Sequence, residues 1–137
     1  MKLEIKGQIG NIQSEFNQAY PYLKIEFFQG EHQTNMLSSK MDMISGENLV
    51  GKFVKINNPG EIDIGGGRTV AQVERDFADK FGLSAQVFRK SGGLWIETSK
   101  SDDWTLDRQN EEGSLSCREN STKKFEEKLE EDRWDLE

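Results

Sequence analysis

A chain of 137 residues, 34% hydrophobic and 31% charged, has the composition of a single soluble domain able to bury a core. The net charge of −7 is uneven: residues 101–137 hold 13 acids and 6 bases, leaving 12 of each in residues 1–100. A neutral body with an acidic end has no basic footprint for phosphate backbones, so no nucleic-acid partner is expected, and no apolar run nears the roughly 20 residues of a membrane span.

Lys2–Gly7 sets Leu3 and Ile5 against Glu4 and Lys6, the alternation of a half-buried strand, and MKLEIKG shows no apolar signal core. Gly10-Asn11 offers a helix start. Ile12, Phe16 and Ala19 share one helical face, and Pro21 forces an end near Tyr20. Tyr22–Phe28 alternates again, with Leu23, Ile25 and Phe27 on one side, and Gly30-Glu31 can turn the chain toward a weaker strand around Thr34–Ser38. Ser38–Gly46 reads as a loop or short helix. Leu49–Ile56 has strand character through Val54 and Ile56, and Asn57-Asn58-Pro59-Gly60 is a strong turn.

Local signals agree best between Glu61 and Gly113. Glu61–Ile64 alternates as a strand and Gly65–Gly67 turns. Thr69 and Gln72 have the spacing of a capping box, after which Val70, Val73, Phe77 and Phe81 recur at helical spacing up to Gly82, a left-handed cap. Ala85–Lys90 and Leu94–Thr98 are strands joined by Ser91-Gly92-Gly93 in a hairpin. Thr105 caps a short helix expected to stop at Gly113.

Ile5 and Ile64, Ile12 and Val73, Phe16 and Phe77, and Ile25 and Val87 correspond at about 60 residues apart. Ser38-Ser39-Lys40 likewise matches Thr98-Ser99-Lys100. This admits an internal duplication of 1–48 and 61–113. The predicted fold is α+β: two β-α-β-β-like units sharing one mixed or antiparallel sheet, helices on one face, within a single domain 1–113. Residues 114–137 are then an acidic linker and terminal helix or tail, with Phe125 and Leu129 on one helical face and Trp134 further on. Such a segment either frays in solvent or docks on its own domain or a partner. The single cysteine, Cys117, excludes an internal disulfide and fits a reducing compartment, so the expected location is cytoplasmic.

Three constellations invite chemistry. IDIGGGRT (Ile62–Thr69) has the strand, glycine loop and helix order of a phosphate cradle, but neither the ending of a P-loop nor G-x-G-x-x-G spacing. Asp102 and Asp103 invite an acid or metal role, yet carboxylates before a helix are also favoured by the backbone dipole. His32 and Cys117 are too far apart in sequence to suggest a nucleophile–base pair, and no zinc or EF-hand spacing occurs, so neither metal nor cofactor is expected. The third constellation is aromatic. Phe88 and Trp95 alternate onto the face opposite the helices, where either they stand open to a partner or Trp104 and the last helix cover them.

The segments RKSG-x-x-W-x-ET (Arg89–Thr98) and DDWTL-x-x-QN-x-EG (Asp102–Gly113), with NIQSEFNQAYPYLKIEFF near the start, resemble a family of small uncharacterised bacterial proteins over roughly residues 1–114. The resemblance implies one intact domain and brings no activity, cofactor or catalytic residue. The residues alone favour a non-enzymatic protein-binding module (adaptor, regulator or inhibitor) with an unidentified protein partner. Its candidate contacts are Phe88, Trp95, Asp102, Asp103, Trp104, Phe125, Leu129 and Trp134. The alternatives are a small-ligand protein or enzyme built on Gly65–Gly67 with Asp102 and Asp103, and an acidic nucleic-acid mimic. An open sheet edge makes self-association compatible with each.

Overall fold

Apolar periodicity and helix capping account for most of the elements in the computed structural model, which describes residues 1–29, 43–54 and 60–118. The order is β1 (Lys2–Ile5), α1 (Ile9–Ala19), β2 (Leu23–Phe28), a 3-10 turn at Val50–Lys52, β3 (Gly60–Asp63), α2 (Val70–Phe81), β4 (Ser84–Ser91) and β5 (Leu94–Glu97). A second 3-10 turn, Ser99–Ser101, leads into α3, helical over 106–118. The weak strand Thr34–Ser38, the Asn57–Gly60 turn up to Pro59, and Phe125, Leu129 and Trp134 lie outside the described residues.

The class is α+β, as the alternation implies. Its strands are antiparallel, but they form two sheets, β1-β3 and β2-β4-β5, and not the single shared sheet expected. Leu3 faces Ile62 across the first sheet and Ile25 faces Val87 across the second. Around these pairs gather Ile9, Ile12 and Phe16 of α1, Val70, Val73, Phe77 and Phe81 of α2, and Leu106 of α3, all buried in one core. Each such side chain contributes about 1.5–3 kcal/mol through its removal from water.

The helix starts show why Leu49–Ile56, described up to Val54, is not the strand its composition suggests. Orphan N–H groups at a helix start need acceptors. In α1, Ile9 N donates to Asn48 O and Gly10 N to Gly46 O, both at 2.9 Å, while Val50 N returns to Gly7 O at 2.9 Å. In α2, Val70 N donates to Trp104 O at 3.1 Å and Ala71 N to Asp102 O at 2.8 Å, and Leu106 N returns to Arg68 O at 2.9 Å. The same three bonds recur in both halves. The segment after Met43 therefore turns back to cap α1 and closes with a 3-10 turn at Val50–Lys52, and tertiary demand overrides the strand propensity of Leu49–Val54.

The other departure is Gly113, which lies inside α3 and does not end it. It is buried against β4 and the residue before β2: a Cβ there would stand 2.8 Å from Tyr22 Cβ and 3.3 Å from Arg89 Cγ. This glycine serves close approach, so residues 114–118 continue the helix instead of beginning a linker.

Candidate functional site

The site begins with the two-residue period of the strands. On β2 and β4, Leu23, Ile25, Phe27, Ala85 and Val87 face the helices. Lys24, Glu26, Phe88 and Lys90, with Trp95 of β5 opposite Lys90, occupy the outer face. There Trp95 is 37% exposed. Lys24 Nζ stands 5.2 Å from the ring centroids of both Phe88 and Trp95, and Lys90 Nζ stands 5.9 Å from that of Trp95. Ammonium groups at such distances are drawn to the ring faces, each contact worth about 0.5–1 kcal/mol at an exposed site. Lys24 also reaches Glu26 at 3.7 Å, and Glu26 accepts from Gln13 Nε2 of α1 at 2.8 Å, which fixes the Lys24 stem.

Phe88 needs correcting as a contact residue. It is 9% exposed, lies beneath the Lys24 ammonium, and offers little area to a partner. Trp104 is not the cover considered for this face. It stacks on Arg108 at 3.8 Å and Arg89 at 5.4 Å, and Arg89 follows Phe88, so its side chain points to the helix side of the sheet. There Arg89 donates to Oε1 of Gln109, whose Nε2 donates to Ser101 O at 2.7 Å and Oγ at 3.0 Å. Gln109 is fully buried and fully used. Asn110 accepts from Tyr22 N at 2.9 Å. Much of the D-D-W-T-L…Q-N…G segment thus ties α3 to the sheet.

Asp102 and Asp103 do not form a reactive pair with the glycine loop. The Asp102 carbonyl caps α2, and Asp103 is exposed. At the loop, Gly65 N is occupied by Asp63 Oδ1 at 2.9 Å, which holds the Asp63 carboxyl below its usual range. The Asp107 carboxylate fills the space a Cβ at Gly66 would take, 2.1 Å from its Oδ2. At the start of α2, Thr69 Oγ1 accepts from Gln72 N, and backbone carbonyls take Val70 N and Ala71 N. An anion arriving here would meet the Asp63 and Asp107 carboxylates, with the Gly65, Val70 and Ala71 amides already engaged, which counts against a phosphate cradle.

Sequence reasoning missed Lys24 and Lys90, although strand alternation alone would place them beside Trp95 once the register is fixed. It also missed Glu74 of α2. Val87 pairs with Ile25 of β2, but on its other side it lies beyond the end of β5. Glu74 Oε2 accepts from Val87 N at 3.0 Å, while Thr98 donates to Val87 O through Oγ1 at 2.8 Å and N at 3.3 Å. Burial pushes the Glu74 carboxyl up to about 8; the Val87 N–H opposes the shift, and Asp102 and Glu97 add to it. Its task is to finish a strand edge. Among the described residues, no group of three or more His, Cys, Asp or Glu side chains is placed to hold a metal ion.

Among the described residues no helix is long and apolar enough to cross a membrane. Compared with known protein families, with curated proteins and with solved structures, the chain matches none.

Proposed function

We propose that this chain is a non-enzymatic protein-recognition module whose contact surface is the outer face of β2-β4-β5, centred on Trp95. One observation carries this: a tryptophan 37% exposed on a hydrogen-bonded sheet, its indole approached by two lysine ammoniums. A ring fixed on a sheet loses little entropy on binding, and Trp is prominent among residues that dominate interface energy. The lysines select a partner that brings carboxylates around an apolar centre. An adaptor, regulator or inhibitor acts through such a surface without chemistry of its own.

The test is affinity capture from native extract with the full-length parent and a Trp95→Ala bait of matching circular dichroism. A partner held by the parent and lost by the variant is the expected result. Equal capture by both baits, or none by either, contradicts the proposal.

A further inference from the structure

We propose that β5 is also the interface of a homodimer, in which two copies pair their β5 edges antiparallel about a two-fold axis at Trp95. Strand parity gives the geometry. Lys90 N donates to Tyr22 O at 2.9 Å and Thr98 N to Val87 O at 3.3 Å. Ser91–Leu94 and Arg89–Ile96 are then the hydrogen-bonded pairs of the hairpin, and Lys90–Trp95 is a non-hydrogen-bonded one. The Trp95 N–H and C=O therefore point away from β4, and they meet no partner among the described residues.

This edge is also the most apolar stretch of exposed surface on the sheet: Leu94 is 72%, Trp95 37% and Ile96 36% exposed. Leu94-Trp95-Ile96 contains none of the charges or prolines that usually protect a free edge. Of the self-pairings centred on Trp95, Ile96 and Glu97, only the first is complementary throughout. With the axis at Trp95, the two Trp95 residues exchange both N–H···O bonds, and their indoles meet on the outer face. On the other face, Leu94 of each copy lies directly opposite the partner's Ile96. An axis at Glu97 would set like carboxylates opposite each other. Pairing Trp95 with Glu97 would leave Leu94 opposite Thr98, past the end of the strand. The favoured register joins two three-stranded sheets into one of six strands.

The test is sedimentation equilibrium of the full chain from micromolar to millimolar concentration. Beside it runs a Leu94→Lys/Ile96→Lys double variant whose exposed substitutions leave far-UV circular dichroism unchanged. The expected result is a concentration-dependent dimer that the double variant loses. In a Cys117→Ser background, chains with Leu94→Cys mixed with chains carrying Ile96→Cys are expected to cross-link under mild oxidation, and neither is expected to cross-link alone. A monomer at every concentration, a dimer that survives both lysines, or Leu94→Cys chains that cross-link to themselves would each overturn the proposal.

Discussion

At the start of α1, Gln8 gives no side-chain cap, whereas at the start of α2 Thr69 and Gln72 close a capping box. The backbone of both starts is nevertheless held by the same three hydrogen bonds, and Leu3–Ile62 and Ile25–Val87 pair across the halves as a two-fold axis between them requires. The two halves therefore share one backbone arrangement at their helix starts. The side chains differ around a common backbone frame. The second half carries the capping box, the left-handed Gly82, the Glu74 strand-edge cap and the β4–β5 hairpin with Trp95. The frame is shared, and the candidate surface belongs to one half.

The largest effects test whether the halves stand or fall together. Phe16 and Phe77 occupy equivalent buried positions, and Phe77 also packs edge-on against Phe27 at 5.1 Å. Phe16→Ala and Phe77→Ala should each cost about 3–5 kcal/mol in urea unfolding. Both should shift the tryptophan fluorescence and circular dichroism transitions together. A Phe16→Ala chain that loses helix signal while its tryptophan transition stays put would break the two-half frame.

Glu74 falls where Gln13 falls on α1, and Gln13 instead donates its Nε2 to Glu26 Oε2 at 2.8 Å. A carboxyl raised from 4.5 to about 8 keeps its proton in the folded chain while the unfolded chain has lost it, so stability from this group falls as pH rises through that window and is level above it. Glu74→Gln retains an acceptor for Val87 N and removes the titration. It should be more stable than the parent by about 2 kcal/mol at pH 9, less than the full shift would allow, and no more stable at pH 4. Unfolding free energies measured across pH that run parallel for the two chains would contradict this. The smallest contrast lies at the caps: Thr69→Ala should cost about 1 kcal/mol, and Gln8→Ala should stay within about 0.5 kcal/mol of the parent.

The parts of the fold legible in the sequence were those set by local rules. Thr69 and Gln72, the φ of 64° at Gly82, and the hairpin at Gly92 follow from short-range chemistry and appear where their spacing puts them. What escaped was set at long range. Val50–Lys52 turns because α1 needs the carbonyls of Gly46 and Asn48, and no pattern in 45–54 announces that. Gly113 looked like a stop signal because its neighbour across space, Tyr22, is remote in sequence. In the candidate site, alternation singled out Phe88 and Trp95 together. Only the register showed that Lys24 reaches both rings while leaving just one of them open.

The central claim is that Trp95 belongs to a surface and not to the core. Its most direct test is urea unfolding of Trp95→Ala beside the parent, both dilute enough to be monomeric. A surface ring predicts a loss of about 1 kcal/mol or less with an unchanged denaturant slope. A loss of about 3–5 kcal/mol, the cost of truncating a core aromatic, would place the ring in the interior and leave the proposed surface without its centre.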